Sequence, residues 1–166
     1  MSDLKQRLLD AIMDIQAIDV HSHVPHDAPF ATSLRDLLGY HYYTELAHSS
    51  GMSKDVLEKP DEEMIPELLD AMENIQNTVQ YSWLIELAQM LFGFEADRLT
   101  SDNWQPLAEA VEEKAAEDNR ARAVLDASNL KCTFLTNEFD EDLSDVDTSM
   151  FIPSLRADTL VFKLAD

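Results

Sequence analysis

Two histidines one residue apart, His21 and His23, follow directly on the short run Ile18-Asp19-Val20. Side chains two positions apart on a strand leave the same face, so both imidazoles could reach one ion. Neutral imidazole suits a divalent cation such as Zn2+, and a catalytic ion keeps a coordination position for water or substrate. A surface or hydrogen-bonded pair of histidines fits the same spacing equally well. Asp19 is read as a structural group or an outer support of the site, not as a direct ligand. A second cluster surrounds His41, which lies three and four positions after Leu38 and Leu37. That count puts it on the inward stripe of a helix, with Tyr42 its neighbour round the helix, and an inward imidazole needs a polar partner. A satisfied core histidine beside aromatic packing would produce the same pattern. Cys132 sits in the strand-like stretch 130–135 and reads as a buried small side chain, while His26 and His48 read as ordinary polar residues.

The elements that must position these residues can be read along the chain. Leu4, Leu8, Ile12 and Ile15 recur at helical spacing, and Ala17 to Val20 forms a short strand that ends at the histidines. Pro25 and Pro29 then force a loop. A strand whose end carries histidines and opens into a loop is where an α/β fold places chemistry. From Ser33 to Asn129 the pattern is helical: one helix from Ser33 to Gly51, another starting around Asp61 to Pro66, and a third from Thr78 to Gly93. Two more follow, one after the capping cluster Thr100-Ser101-Asp102 and one from Asn119 to Ala127. Strand character returns at Leu130 to Thr136 and at Met150 to Ile152, joined by an acid-rich polar connection over 140–147. The expected fold is predominantly α with a few short parallel strands. The spacing divides the chain into 1–31, helix and first strand with His-x-His; 32–129, a helical insertion; and 130–166, the second and third strands.

The chain has 166 residues, with 33 acidic against 12 basic side chains and a formal net charge of −21. Such a surface repels phosphate backbones and anionic lipid, which argues against nucleic-acid and membrane partners. It repels anionic substrates too, so an acid-binding site must bring its own positive charge from a metal or an arginine. A highly solvated surface suited to a salty environment accounts for the same balance. One cysteine excludes an internal disulfide framework, and without a run resembling a signal peptide the expected location is cytoplasmic. The length falls short of the roughly 250 residues a closed (β/α)8 barrel usually needs, so the fold is either smaller or a piece of one.

Four motifs in order resemble the uronate isomerases of the amidohydrolase superfamily. They are Asp19-x-His21-x-His23, Gly39-x-His41-Tyr42 on a helix closing in Ser49-Ser50-Gly51, Tyr81-Ser82-Trp83 with Glu86-Leu87, and Pro153-Ser154-x-Arg156-x-Asp158. The resemblance runs from about Ile18 to the last residue. It implies the N-terminal fragment of a (β/α)8 TIM barrel with a helical insertion after the first strand. It also implies interconversion of aldose and ketose hexuronates, D-glucuronate with D-fructuronate and D-galacturonate with D-tagaturonate, by proton transfer. On it, His21 and His23 are metal ligands for one divalent ion, expected to be Zn2+, at a site that further strands would complete. His41 and Tyr42 are substrate-binding and catalytic, and Arg156 binds the sugar-acid carboxylate, for which its fork is suited. The chain alone is expected to be inactive, and a homo-oligomer is compatible with exposed strand edges. Two other readings are another metal-dependent hydrolase or decarboxylase of the superfamily, and a non-enzymatic acidic helical interaction domain.

Overall fold

The computed structural model describes residues 3–25, 28–138 and 140–163, and for 159, 160 and 163 the backbone alone. His26 and the last part of the C-terminal apolar run, 164–166, lie outside the described residues. In chain order the helices and strands are α1 (Asp3–Met13), β1 (Ala17–Ser22), α2 (Leu34–Leu38), α3 (His41–Ser49), α4 (Asp61–Met72), α5 (Val79–Phe92), α6 (Gln105–Ala115), α7 (Arg120–Ala127), β2 (Leu130–Leu135), β3 (Phe151–Ile152) and α8 (Asp158–Lys163). Short 3-10 turns at Lys54–Glu58 and Glu73–Ile75 flank α4. The chain divides into two compact units, one of residues 31–120 and one of 1–30 with 121–166. Helix α7, counted with the insertion on sequence, lies almost wholly in the second of these.

In the helical unit the apolar stripes of α2, α4, α5 and α6 meet in one core. Leu38, Leu68, Met72, Leu84 and Val111 are wholly removed from solvent. Local signals start and stop these helices where the chemistry demands. Ser33 caps α2: its Oγ accepts from Asp36 N at 3.1 Å, and the Asp36 carboxylate accepts from Ser33 N at 3.1 Å, a reciprocal capping box. Thr32 adds its hydroxyl at 2.7 Å, and these hydrogen bonds, the Thr32 hydroxyl foremost, hold the Asp36 carboxyl below its ordinary pKa. Thr78 caps α5, and Gly93 ends it in the left-handed region at φ 66°, a conformation that glycine adopts without steric cost. Between α5 and α6 the Tyr81 hydroxyl donates to Leu99 O at 3.3 Å and accepts from Leu99 N at 3.2 Å, so a buried phenol closes a loop. Arg35 of α2 ties down the turn before α4, donating to the Asp61 carboxylate, to Leu57 O at 3.1 Å and to Lys59 O.

The helix expected over Ser33 to Gly51 is two helices. Gly39 is still helical, but Tyr40 swings to φ −55°, ψ 128° and starts α3 in a new phase. A side chain at 39 would stand 2.9 Å from Arg35 O, so the turn requires the missing Cβ. This break resets which residues face inward. Tyr43, Thr44 and Ala47 are buried on α3, whereas His41 is exposed, so its expected place on the inward stripe is corrected.

In the other unit the strands form one parallel sheet of order β1-β2-β3. Asp19 pairs with Thr133 and Ser22 with Leu135 across β1 and β2, and Thr133 pairs with Phe151 across β2 and β3. The Asp19 carboxylate accepts the Thr133 hydroxyl at 3.0 Å and so clamps the first two strands side by side, the structural role expected of it. Cys132 is buried, as its apolar context predicts. Three strands with two free edges make an open sheet, and no closed barrel exists among the described residues. The chain is thus mostly helical with a small parallel sheet. Helix α1 buries none of its residues, and Leu4, Leu8 and Ile12 are all more than half exposed. No described helix is long and apolar enough to cross a membrane.

Candidate site at the strand ends

Parallel strands all end on the same side of their sheet, and loops leaving that side converge. Here the end of β1 delivers His21 and His23, the end of β2 delivers Thr136, and the segment after β3 delivers Ser154, Arg156 and Asp158. Together they line a cavity of about 320 Å3. The strand ends thus bring the adjacent pair His21 and His23 together with Arg156, which is far from them in sequence.

The two imidazoles touch edge to face, with ring centroids 4.9 Å apart and Nε2 to Nε2 at 3.2 Å. Each has a backbone anchor nearby. His21 N donates to Asp19 Oδ1 at 3.1 Å, and the buried Ser22 between the rings accepts Val24 N on its Oγ at 3.0 Å. Thr136, immediately beyond β2, binds β1 twice through Ser22 O, from its N at 3.0 Å and its Oγ1 at 2.6 Å, and its Oγ1 lies 3.2 Å from His23 Nδ1. Sequence reading missed Thr136, because its partner is set by strand register and not by any local motif.

Arg156 supplies the positive charge at the other wall. Its Nε donates to Asp158 Oδ2 at 3.0 Å and its Nη1 to Glu138 Oε1 at 3.1 Å. The hydrogen bond to Asp158, with Glu138 and Asp158 as neighbouring charges, raises the guanidinium pKa further above its ordinary value. Two carboxylates on one guanidinium leave a local excess of negative charge, so an anionic ligand must displace one of them to be held well.

His41 and Tyr42, the other expected site residues, belong to the helical unit. Both are exposed, Tyr42 to 44%, with ring centroids 4.2 Å apart. Tyr40 packs edge-on against both. Tyr43 is the tyrosine turned into the core, and burial raises its phenol pKa. His48 is tied locally, with Nδ1 3.1 Å from Met52 O.

The expected divalent ion does not survive this geometry. Among the described residues no group of three or more His, Cys, Asp or Glu side chains could hold a metal. The histidines face each other with Thr136 behind, Asp19 is spent on β2, and Asp158 and Glu138 are spent on Arg156. The assignment of Zn2+ to His21 and His23 is therefore corrected. No family model and no curated protein sequence matches the chain.

Proposed function

We propose that the cavity at the strand ends is a sugar-acid site and that the chain is part of a uronate isomerase-like enzyme. In this reading the reaction interconverts aldose and ketose hexuronates by proton transfer. One observation carries it: three side chains suited to a hydroxy acid, His21, His23 and Arg156, line one cavity at the ends of three parallel strands. Arg156 binds the carboxylate through its planar fork, and the imidazoles meet sugar hydroxyls. The order of the four sequence motifs supports the same assignment.

Titration of the isotope-labelled chain with D-glucuronate, followed by NMR, tests the reading. Resonances of His21, His23 and Thr136 shift, Arg156→Met abolishes the response, and Glu138→Gln tightens binding by up to about fivefold by removing a competing carboxylate. No shifts at the strand ends, or binding unchanged in Arg156→Met, would sink it. A second reading, an acidic helical interaction domain, is supported by the separate core of residues 31–120 and by an apolar groove on that unit lined by Tyr40, Trp83, Leu87 and Met90 with Glu86. It gains if hexuronates leave the strand ends untouched.

A further inference from the structure

We infer that Thr136 is a positioning residue that fixes the direction of the hydrogen bond between His23 and His21, making the pair a receptor for a ligand hydroxyl. The inference follows from counting protons. A threonine hydroxyl has one hydrogen to give and two lone pairs to offer. At 2.6 Å from Ser22 O, a backbone carbonyl that can only accept, the Thr136 hydrogen is committed to that bond. The remaining contact of Oγ1, 3.2 Å to His23 Nδ1, must then be one in which the ring nitrogen donates. A neutral imidazole carries a hydrogen on one nitrogen only, so with Nδ1 protonated the Nε2 of His23 bears a lone pair. The partner 3.2 Å away, His21 Nε2, is left as the donor, and His21 keeps its lone pair on Nδ1.

This polarity selects a ligand group. With the rings parted, the position between the two Nε2 atoms offers an N–H on one side and a lone pair on the other. A carboxylate can only accept and an ammonium can only donate, so each satisfies one side and leaves the other unmet. A hydroxyl satisfies both, accepting from His21 and donating to His23. Combined with Arg156 across the same cavity, the pair specifies a hydroxyl set beside a carboxylate, which is the recognition pattern of a hydroxy acid. This deepens the proposed function and rests on it for the identity of the ligand, but the tautomer follows from the hydrogen bonds alone.

The test reads the tautomer directly, without a ligand. In 15N-labelled chain at mildly alkaline pH, long-range 1H–15N correlation distinguishes protonated from unprotonated ring nitrogens. The His23 signals are assigned by their loss in His23→Gln. The expected spectrum has the protonated nitrogen of His23 at Nδ1 and that of His21 at Nε2. Thr136→Ser keeps this pattern, and Thr136→Val moves the His23 proton to Nε2. A wild-type His23 protonated at Nε2, or a Thr136→Val chain unchanged from wild type, would overturn the assignment. If Thr136→Val does not fold, the wild-type and Thr136→Ser spectra still decide it. Hexuronate binding is measured separately, so a correct tautomer without binding rejects the sugar-acid reading and leaves the positioning role standing.

Discussion

At the scale of single residues, Asp36 shows how a short hydrogen-bond set becomes a dependence on pH. Thr32 and Ser33 donate to its carboxylate and lower its pKa, so the ionised form stabilises the start of α2. A group whose pKa is depressed on folding contributes above its unfolded value of about 3.9 and loses that contribution as the pH falls through the folded value. Asp36→Asn therefore lowers stability only modestly near neutral pH, by at most about 0.5 kcal/mol once solvent screening of this exposed carboxylate is allowed for. Its urea midpoint converges on wild type below the lowered pKa, and a constant gap down to the lowest pH would exclude the charge as the cause. The residues of the strand-end cavity were legible to different degrees. Spacing along one strand brought His21 and His23 side by side, and a short motif drew attention to Arg156. Thr136 and Glu138 acquire their roles through register and loop return, which no local spacing encodes, whereas Asp158 meets Arg156 two positions along the same motif.

Among the elements, α5 carries the clearest energetic contrast. Leu84 is fully buried in the helical core, while Val79 on the same helix is 59% exposed. Leu84→Ala removes packed methyl groups and leaves a cavity, costing about 2–5 kcal/mol. Val79→Ala changes stability by less than about 0.5 kcal/mol, and equal losses in the two variants by thermal melting would contradict the packing described for α5. The periodicity of α4, α5 and α6 was readable because each presents an uninterrupted apolar stripe to a common core. The break between α2 and α3 was not. Gly39 keeps helical dihedral angles and Tyr40 alone departs, so the pattern Leu34, Leu37, Leu38, Leu46 reads straight through a change of phase. That one unread turn is why His41 was expected inward and stands outward. Strand β3, only two residues long, held too little pattern to fix its extent.

For the molecule as a whole, a net charge of −21 sets the response to salt. Like charges at these densities repel across tens of ångströms in dilute buffer, where the screening length is about 30 Å at 0.01 M, and hardly at all at 1 M, where it is about 3 Å. The thermal midpoint therefore rises by several degrees between these two conditions. A midpoint that falls instead would mean that surface ion pairs such as Lys59–Glu67 outweigh the repulsion. Overall charge, the helical content and the parallel strands were all visible in the sequence, because each reflects many residues at once. The open sheet, by contrast, depends on which strands find one another. The clamp from Asp19 to Thr133 joins residues 114 apart in the chain. Closing so long a loop costs entropy that no neighbouring contact offsets until the intervening residues are already compact. The expected order of folding follows, with the segment 31–120 condensing first on its own core and shortening the span that β1 and β2 must bridge. The cavity at the strand ends is thus expected among the last features of the chain to form.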